Sequence, residues 1–363
     1  MGVSANPRPR TGGAVVAPAL IPALALAALA AGCSNFQDES TILDLRVLGI
    51  MAEPPELYVD PATVARLLTG NDPLPTDDAR SLASTVTALV LDPAGQGRAV
   101  SYAALACPRE IDTVTAATGQ NGIICAHDAA TTIDLLDPPG PQDSAAAGIE
   151  HDIIVPFAIS LNQLADAFRL DPQGAAGFQL PIAVQLELAA GSERVVTTKR
   201  VIFAEQLPDR PPSVNHNPLV TKVTIYPARD AMANPIAPTE LAEGEPVTVP
   251  LGGEIWFEPG GAIAEPYSIR EATHDVPPQI FTKDVPAETL RYAFFTTAGT
   301  FSPVETSTVA LPIFTNLDHV HIESQYTAPA VMPADPNLTV WIVVRDERGG
   351  ASWTTRRIVL AAP

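Results

Sequence analysis

The sequence predicts an all-β chain built as two tandem antiparallel β-sandwiches, the first with one short inserted helix. Three observations lead there. Apolar residues recur at period two in many short runs, turn signals separate the runs, and no helices alternate with them as a parallel sheet would require. Proline, at 37 of 363 residues, is about twice its ordinary usage, which disfavours long helices and suits short strands joined by proline-rich loops. Hydrophobic residues make up 46% and charged ones 17%, so the chain has enough apolar surface to fold.

Residues 43–51 open the first strand, and Glu53-Pro54-Pro55-Glu56 ends it. The stretch 61–78 reads as loop, with a short helical turn near 64–68. In 85–91, Val86, Ala88 and Val90 share one face and Thr85 and Thr87 the other. Asp92-Pro93-Ala94-Gly95 turns that strand, and 100–105 runs on toward Cys107. Ile153, Val155, Phe157 and Ile159 alternate with Asp152 and Ala158, and Ile182, Val184, Leu186 and Leu188 with Gln185 and Glu187. Ala190-Gly191-Ser192 then turns into 194–203, a hairpin. Between the two alternating runs lies the helix. Ser160 is its N-cap with Gln163 three residues on, a capping box, and Leu161, Leu164, Ala165 and Phe168 form a core-facing stripe.

Residues 206–219, QLPDRPPSVNHNPL, are polar, proline-rich and without periodicity, and so predict a linker between domains 42–205 and 220–363. Strands of the second domain fall at 220–226, around Ile255 and Phe257, and at 292–295, 339–345 and 353–360. The last two flank Asp346-Glu347-Arg348-Gly349-Gly350, whose glycines permit the positive φ of a hairpin turn. SYAALACP (101–108) and RYAFFTTAG (291–299) repeat one outline, a central strand with an aromatic near its start. Each domain has strands for its own core, and the stiff linker implies an end-to-end arrangement with the second domain farther from the N-terminus.

Residues 1–33 carry Arg8 and Arg10, then an uncharged run over 14–31, then Leu29-Ala30-Ala31-Gly32-Cys33. This resembles a bacterial lipoprotein signal peptide. Ala30 departs from that pattern, which more often has a branched aliphatic there. The run is short for a spanning helix of about 20 apolar residues, and Pro18 and Pro22 interrupt it. The resemblance implies a leader over 1–32, lipidation of Cys33, and a tether over 33–41. With Ser34 after the cysteine, it implies the outer membrane as address. Removing Cys33 from the count leaves Cys107 and Cys125 as a pair in an oxidising compartment, 18 residues apart, without CxxC spacing, and so predicts a structural disulfide.

Residues RYAFFTTAGTFSP (291–303), YTAPA (326–330) and TVWIVVRDERGGASW (339–353) resemble bacterial immunoglobulin-like domains over about 220–361. The first half reads as a more diverged relative. Its opening, RVLGIMAEPPELYVDP (46–61), resembles the first sandwich of predicted lipoproteins of myxobacteria-like organisms. These resemblances imply fold and are almost silent on activity.

Without its leader the chain carries 19 basic against 41 acidic residues, a net of −22, which disfavours nucleic acid as a partner. No GxSxG, HExxH, Walker or GxGxxG motif follows a strand. His319, His321 and Glu323, at i, i+2 and i+4 of one strand face, are the candidate metal ligands, but alternate residues lie about 6–7 Å apart and favour an exposed polar face. His127-Asp128, His151-Asp152 and His274-Asp275 read as solvated turn residues, and the loop acids Asp335 and Asp346 lack the Dx[DN]xDG run that would favour capping a Ca²⁺ ion. Trp256, Trp341 and Trp353 are too scattered for a sugar platform. The expected function is that of a non-catalytic, cofactor-free, lipid-anchored envelope protein acting as a binding, spacer or assembly module. Its partners would be the membrane, through its lipid, and an envelope protein or polysaccharide. The alternative is a secreted hydrolase or carbohydrate-binding accessory lipoprotein with a loop-built site.

Overall fold

The computed structural model describes residues 38–69, 82–107, 110–114, 121–125, 132–144, 148–170, 179–205, 215–272, 279–309 and 321–362. The chain divides into Met1–Asp38 and Glu39–Pro363, and the architecture below belongs to the second unit. Cys33 and the leader lie outside the described residues.

The first half contains strands β1 (Arg46–Glu53), β2 (Glu56–Val59), β3 (Leu82–Leu91), β4 (Ser101–Cys107), β5 (Glu110–Val114), β6 (Asn121–Cys125), β7 (Ile133–Asp134), β8 (Gln142–Asp143), β9 (Glu150–Ile159), β10 (Gln179–Ala190) and β11 (Glu193–Glu205). Helix α1 (Pro61–Thr69) follows β2, and helix α2 (Leu161–Leu170) follows β9. One sheet has the order β1-β3-β9, the other β2-β11-β10-β4-β7. The alternation of β9 is realised: Ile153, Val155, Phe157 and Ile159 face the core shared with Val86, Ala88 and Val90. The capping box of α2 is made in both directions, Gln163 N–H to Ser160 Oγ at 3.3 Å and Ser160 N–H to Gln163 Oε1 at 2.8 Å. The turn near 64–68 is a nine-residue helix, α1. Asp60 caps it by accepting from the Thr63 N–H at 3.0 Å.

The second half contains β12 (Lys222–Tyr226), β13 (Ala228–Arg229), β14 (Pro235–Ile236), β15 (Thr239–Glu240), β16 (Pro246–Pro250), β17 (Glu254–Gly260), β18 (Tyr267–Ala272), β19 (Ile280–Val285), β20 (Arg291–Thr296), β21 (Thr300–Ser302), β22 (Glu305–Ser307), β23 (Ser324–Thr327), β24 (Asn337–Arg345) and β25 (Ala351–Ala361). Its sheets run β15-β12-β17-β23-β21 and β16-β25-β24-β20-β22. The two halves repeat one topology: β2-β11-β10-β4 corresponds to β16-β25-β24-β20, and in each the short first strand pairs parallel with the last. This is an immunoglobulin-like β-sandwich fold in both halves. The two RYAF/SYAA strands, β20 and β4, occupy the same place in that order.

Each half has its own core, and a third apolar cluster joins them: Ile42, Leu48, Leu89, Leu91, Trp341 and Val343. The β1-β3-β9 sheet therefore packs its outer face on the outer face of β20-β24-β25, a side-by-side contact in place of the expected end-to-end one. Strand β3 is buried on both faces, Val86, Ala88 and Val90 inward and Leu89 and Leu91 outward. Strand β24 is likewise buried on both, Val340, Ile342 and Val344 inward and Trp341 and Val343 outward. A bulge between Val47 and Gly49 shifts the phase of β1. Leu45 and Val47 face the first core before it, Ile50 and Ala52 after it, and Leu48 turns out into the joining cluster.

The chain enters this unit on the second sandwich, not the first. Ile42 N–H donates to Thr296 O at 2.8 Å, Thr296 N–H to Ser40 O at 2.9 Å, and Thr41 Oγ1 to Gly299 O at 2.7 Å. Only the 215–219 part of the predicted linker is described, and it is stitched to both halves. Asn217 Nδ2 donates to Ala52 O at 2.8 Å, and its Oδ1 accepts from Ala351 N–H at 2.9 Å.

Candidate functional site

Among the described residues, those singled out from sequence do not converge on one site. Cys107, at the end of β4, is bonded to Cys125 in β6 with their Cα atoms 5.5 Å apart. Gln185 of the central strand β10 accepts from the Cys125 N–H at 2.7 Å and fixes that strand end on the sheet. His319 lies outside the described residues, as do His127-Asp128 and His274-Asp275. His321 Nδ1 sits 2.9 Å from Glu323, but Glu323 is buried and forms an ion pair with Arg229. That guanidinium stands 4.4 Å above the Trp256 ring, which stacks on Tyr226 at 6.1 Å and 7°. Glu323 thus holds a cation–π stack together. His151 corrects the solvated-turn reading, because it is buried in β9 with Nδ1 3.2 Å from Ser144 Oγ. Asp335 is consumed by its own loop, accepting from Asn337 N–H at 2.8 Å. Asp346 accepts from Arg348 N–H at 2.9 Å and Gly350 N–H at 2.6 Å, the bonds that shape the β24–β25 turn, with Gly349 at φ +92°.

Among the described residues, a polar concentration lies at the junction of the sandwiches, on residues outside any sequence motif. Arg348, on the β24–β25 turn, reaches across to Glu56 of β2, and both are almost fully buried. Tyr58 completes the triad, donating to Glu56 at 2.7 Å and accepting from Arg348 at 3.1 Å. Burial, with the Glu56 charge beside it, drives the Tyr58 phenol well above its ordinary pKa. Arg348 also stands 4.9 Å over the ring of Tyr267, whose hydroxyl donates to Glu347 at 2.9 Å. Nearby, burial pushes the Glu288 carboxyl up to about 7. It accepts from Glu265 N–H at 3.0 Å, which offsets only part of that effect.

Beside this triad lies an open cleft of about 340 Å³ between β1, β11 and the β24–β25 hairpin. Lys199 of β11 is buried there and donates to the Gly349 carbonyl. Its ammonium is lowered to about 8, chiefly by burial and further by the Arg345 charge, against the pull of Asp346. Arg345 donates to the carbonyl of the bulge residue Leu48 at 2.5 Å. The signals in sequence were present but slight: the unbroken apolar runs Ala88–Leu91 and Val340–Val344 mark strands covered on both faces. Lys199 is one of only three lysines.

No protein-family profile and no curated protein matches the chain. Among solved structures, red sea bream transglutaminase aligns over 89% of this chain and 32% of its own, at 8% identity and a TM-score of 0.23. A chimeric titin Z1Z2-Z1Z2 tandem aligns over 88% of this chain and 100% of its own, at 7% identity and a TM-score of 0.17. Latent PorU from Porphyromonas gingivalis aligns over 88% and 24%, at 9% identity and 0.19. This chain spans about a third of the transglutaminase. At these scores the sheet order above, not the likeness, carries the assignment of fold.

Proposed function

We propose that the protein is a non-catalytic, lipid-anchored component of a bacterial cell envelope, in which the paired sandwiches act as a binding, spacer or assembly module. The observation that carries this is the leader: basic start, apolar run, and Leu29-Ala30-Ala31-Gly32-Cys33 followed directly by a short polar stretch. The Cys107–Cys125 bond supports an oxidising compartment. Among the described residues no helix is long and apolar enough to cross a membrane.

The test is the mass and partitioning of the full chain expressed in a diderm bacterium. The wild type is expected in the detergent phase with the mass of a diacylglyceryl-modified chain starting at Cys33, and Cys33→Ala is expected to stay unprocessed or lose that mass. A membrane fraction and mass unchanged by Cys33→Ala would overturn the proposal.

A further inference from the structure

We propose that the cleft between the two sandwiches is a binding site for a small oxyanion, the carboxylate or phosphate of a low-molecular-weight ligand. Its volume, about 340 Å³, falls in the range of small-molecule sites. Its walls come from three separate elements: Gly49 of β1, Thr197, Thr198 and Lys199 of β11, and Arg345 and Gly349 of the β24–β25 hairpin. Among the described residues no carboxylate lines it, in a chain that carries 41 acids against 21 bases.

Three cations line it, Lys199, Arg200 and Arg345, and two of them, Lys199 and Arg345, each hold a backbone carbonyl. Lys199 donates a hydrogen bond to the Gly349 carbonyl, and Arg345 one to the Leu48 carbonyl. An ammonium has three donors and a guanidinium five, so each keeps others for a ligand. The charged groups facing Lys199 are Asp346, which favours its ammonium, and Arg345, which opposes it. Asp346 accepts from the backbone N–H groups of its turn through Oδ1, while its buried Oδ2 has no hydrogen-bond partner among the described residues. Glu305 is the group that favours the Arg345 charge. An oxyanion between Lys199 and Arg345 would turn a repulsion into two charge-assisted hydrogen bonds. The backbone of β1 around Gly49 forms the opposite wall. Since Lys199 belongs to the first sandwich and Arg345 to the second, occupancy would also clamp the two together.

The proposal takes the chain to be a binding module, but it does not need the lipid, so loss of membrane attachment would leave it standing. The experiment is calorimetric titration of the full chain with sulfate, inorganic phosphate and acetate, against chloride at equal ionic strength. Saturable binding of at least one oxyanion is expected, tenfold or more weaker in Lys199→Met and in Arg345→Met, and retained within about threefold in Lys199→Arg. Preference for phosphate and sulfate over acetate would identify a phosphate-type ligand, and the reverse order a carboxylate. For sulfate, whose charge is constant in this range, affinity should fall above pH 8 as Lys199 loses its proton. No saturable binding beyond chloride overturns the proposal. So does sulfate affinity that stays flat from pH 7 to 9.5, a readout that needs no variant to fold.

Discussion

Trp341, on the outward face of β24, donates its indole N–H to the Glu150 carboxylate of β9 at 3.0 Å, with its side chain 1% exposed. A ring that size, belonging to one sandwich and covered by the other, makes the contact between them a packed interface rather than a loose touch. Trp341→Ala should cost about 3–5 kcal/mol, the range for truncating a buried tryptophan. Urea unfolding followed by far-ultraviolet dichroism checks it, and Trp341→Phe, which keeps most of the buried area, should cost clearly less.

Gly49 of β1 lies against the second sandwich. A Cβ there would stand 3.2 Å from Val343 Cγ1 and 3.3 Å from Trp353 Cε3. Gly49→Leu should wedge the two sheets apart and destabilise by about 1–3 kcal/mol. The expected signature in a thermal scan is a transition that broadens or splits, because neither separate core is touched.

Arg348 and Glu56 form a buried pair across the junction. Removing one partner leaves the other charged and dry, so Arg348→Met should lose about 3–5 kcal/mol, while Arg348→Met with Glu56→Leu should recover much of that loss. Chemical denaturation of the two single variants and the double one measures the coupling.

Stability should pass through a trough near neutral pH. Glu288 is raised to about 7 by burial, so folding favours its protonated form. Its contribution is complete below the unfolded carboxylate value and is lost as pH climbs toward 7. Lys199 is lowered to about 8, so its contribution is present above the unfolded lysine value and is lost as pH falls through 8. Melting temperatures from pH 5 to 10 should fall on the acid side and rise on the basic side. Glu288→Gln should flatten the first limb and Lys199→Met the second.

Residues 214–363 contain the whole of the second core, and that fragment should unfold cooperatively with β-type dichroism. It lacks Ser40–Ile42 and uncovers Trp341 and Val343, so its midpoint should lie below that of the full chain and its tendency to self-associate above it. Sedimentation with thermal unfolding checks both. An unfolded fragment would refute the independence of the second half.

The local structure was legible in the sequence wherever one face of an element decides its fate. The alternation Ile153–Ile159 needs only a core on one side, and the Ser160–Gln163 box closes within four residues. Cys107 and Cys125 could be paired by elimination. The junction was not legible in that way. Leu89, Leu91, Trp341 and Val343 read as ordinary strand residues until a second sheet covers them, and the bulge at Leu48 shows only as a slip in period. Lys199 and Arg345 lie 146 positions apart, and Glu56 and Arg348 are separated by 292. No periodicity links positions that distant, because what brings them together is the burial of two apolar faces against each other. Period and turn chemistry in the sequence therefore determined two sandwiches, while their packing alone decided that they stand side by side around a cationic cleft.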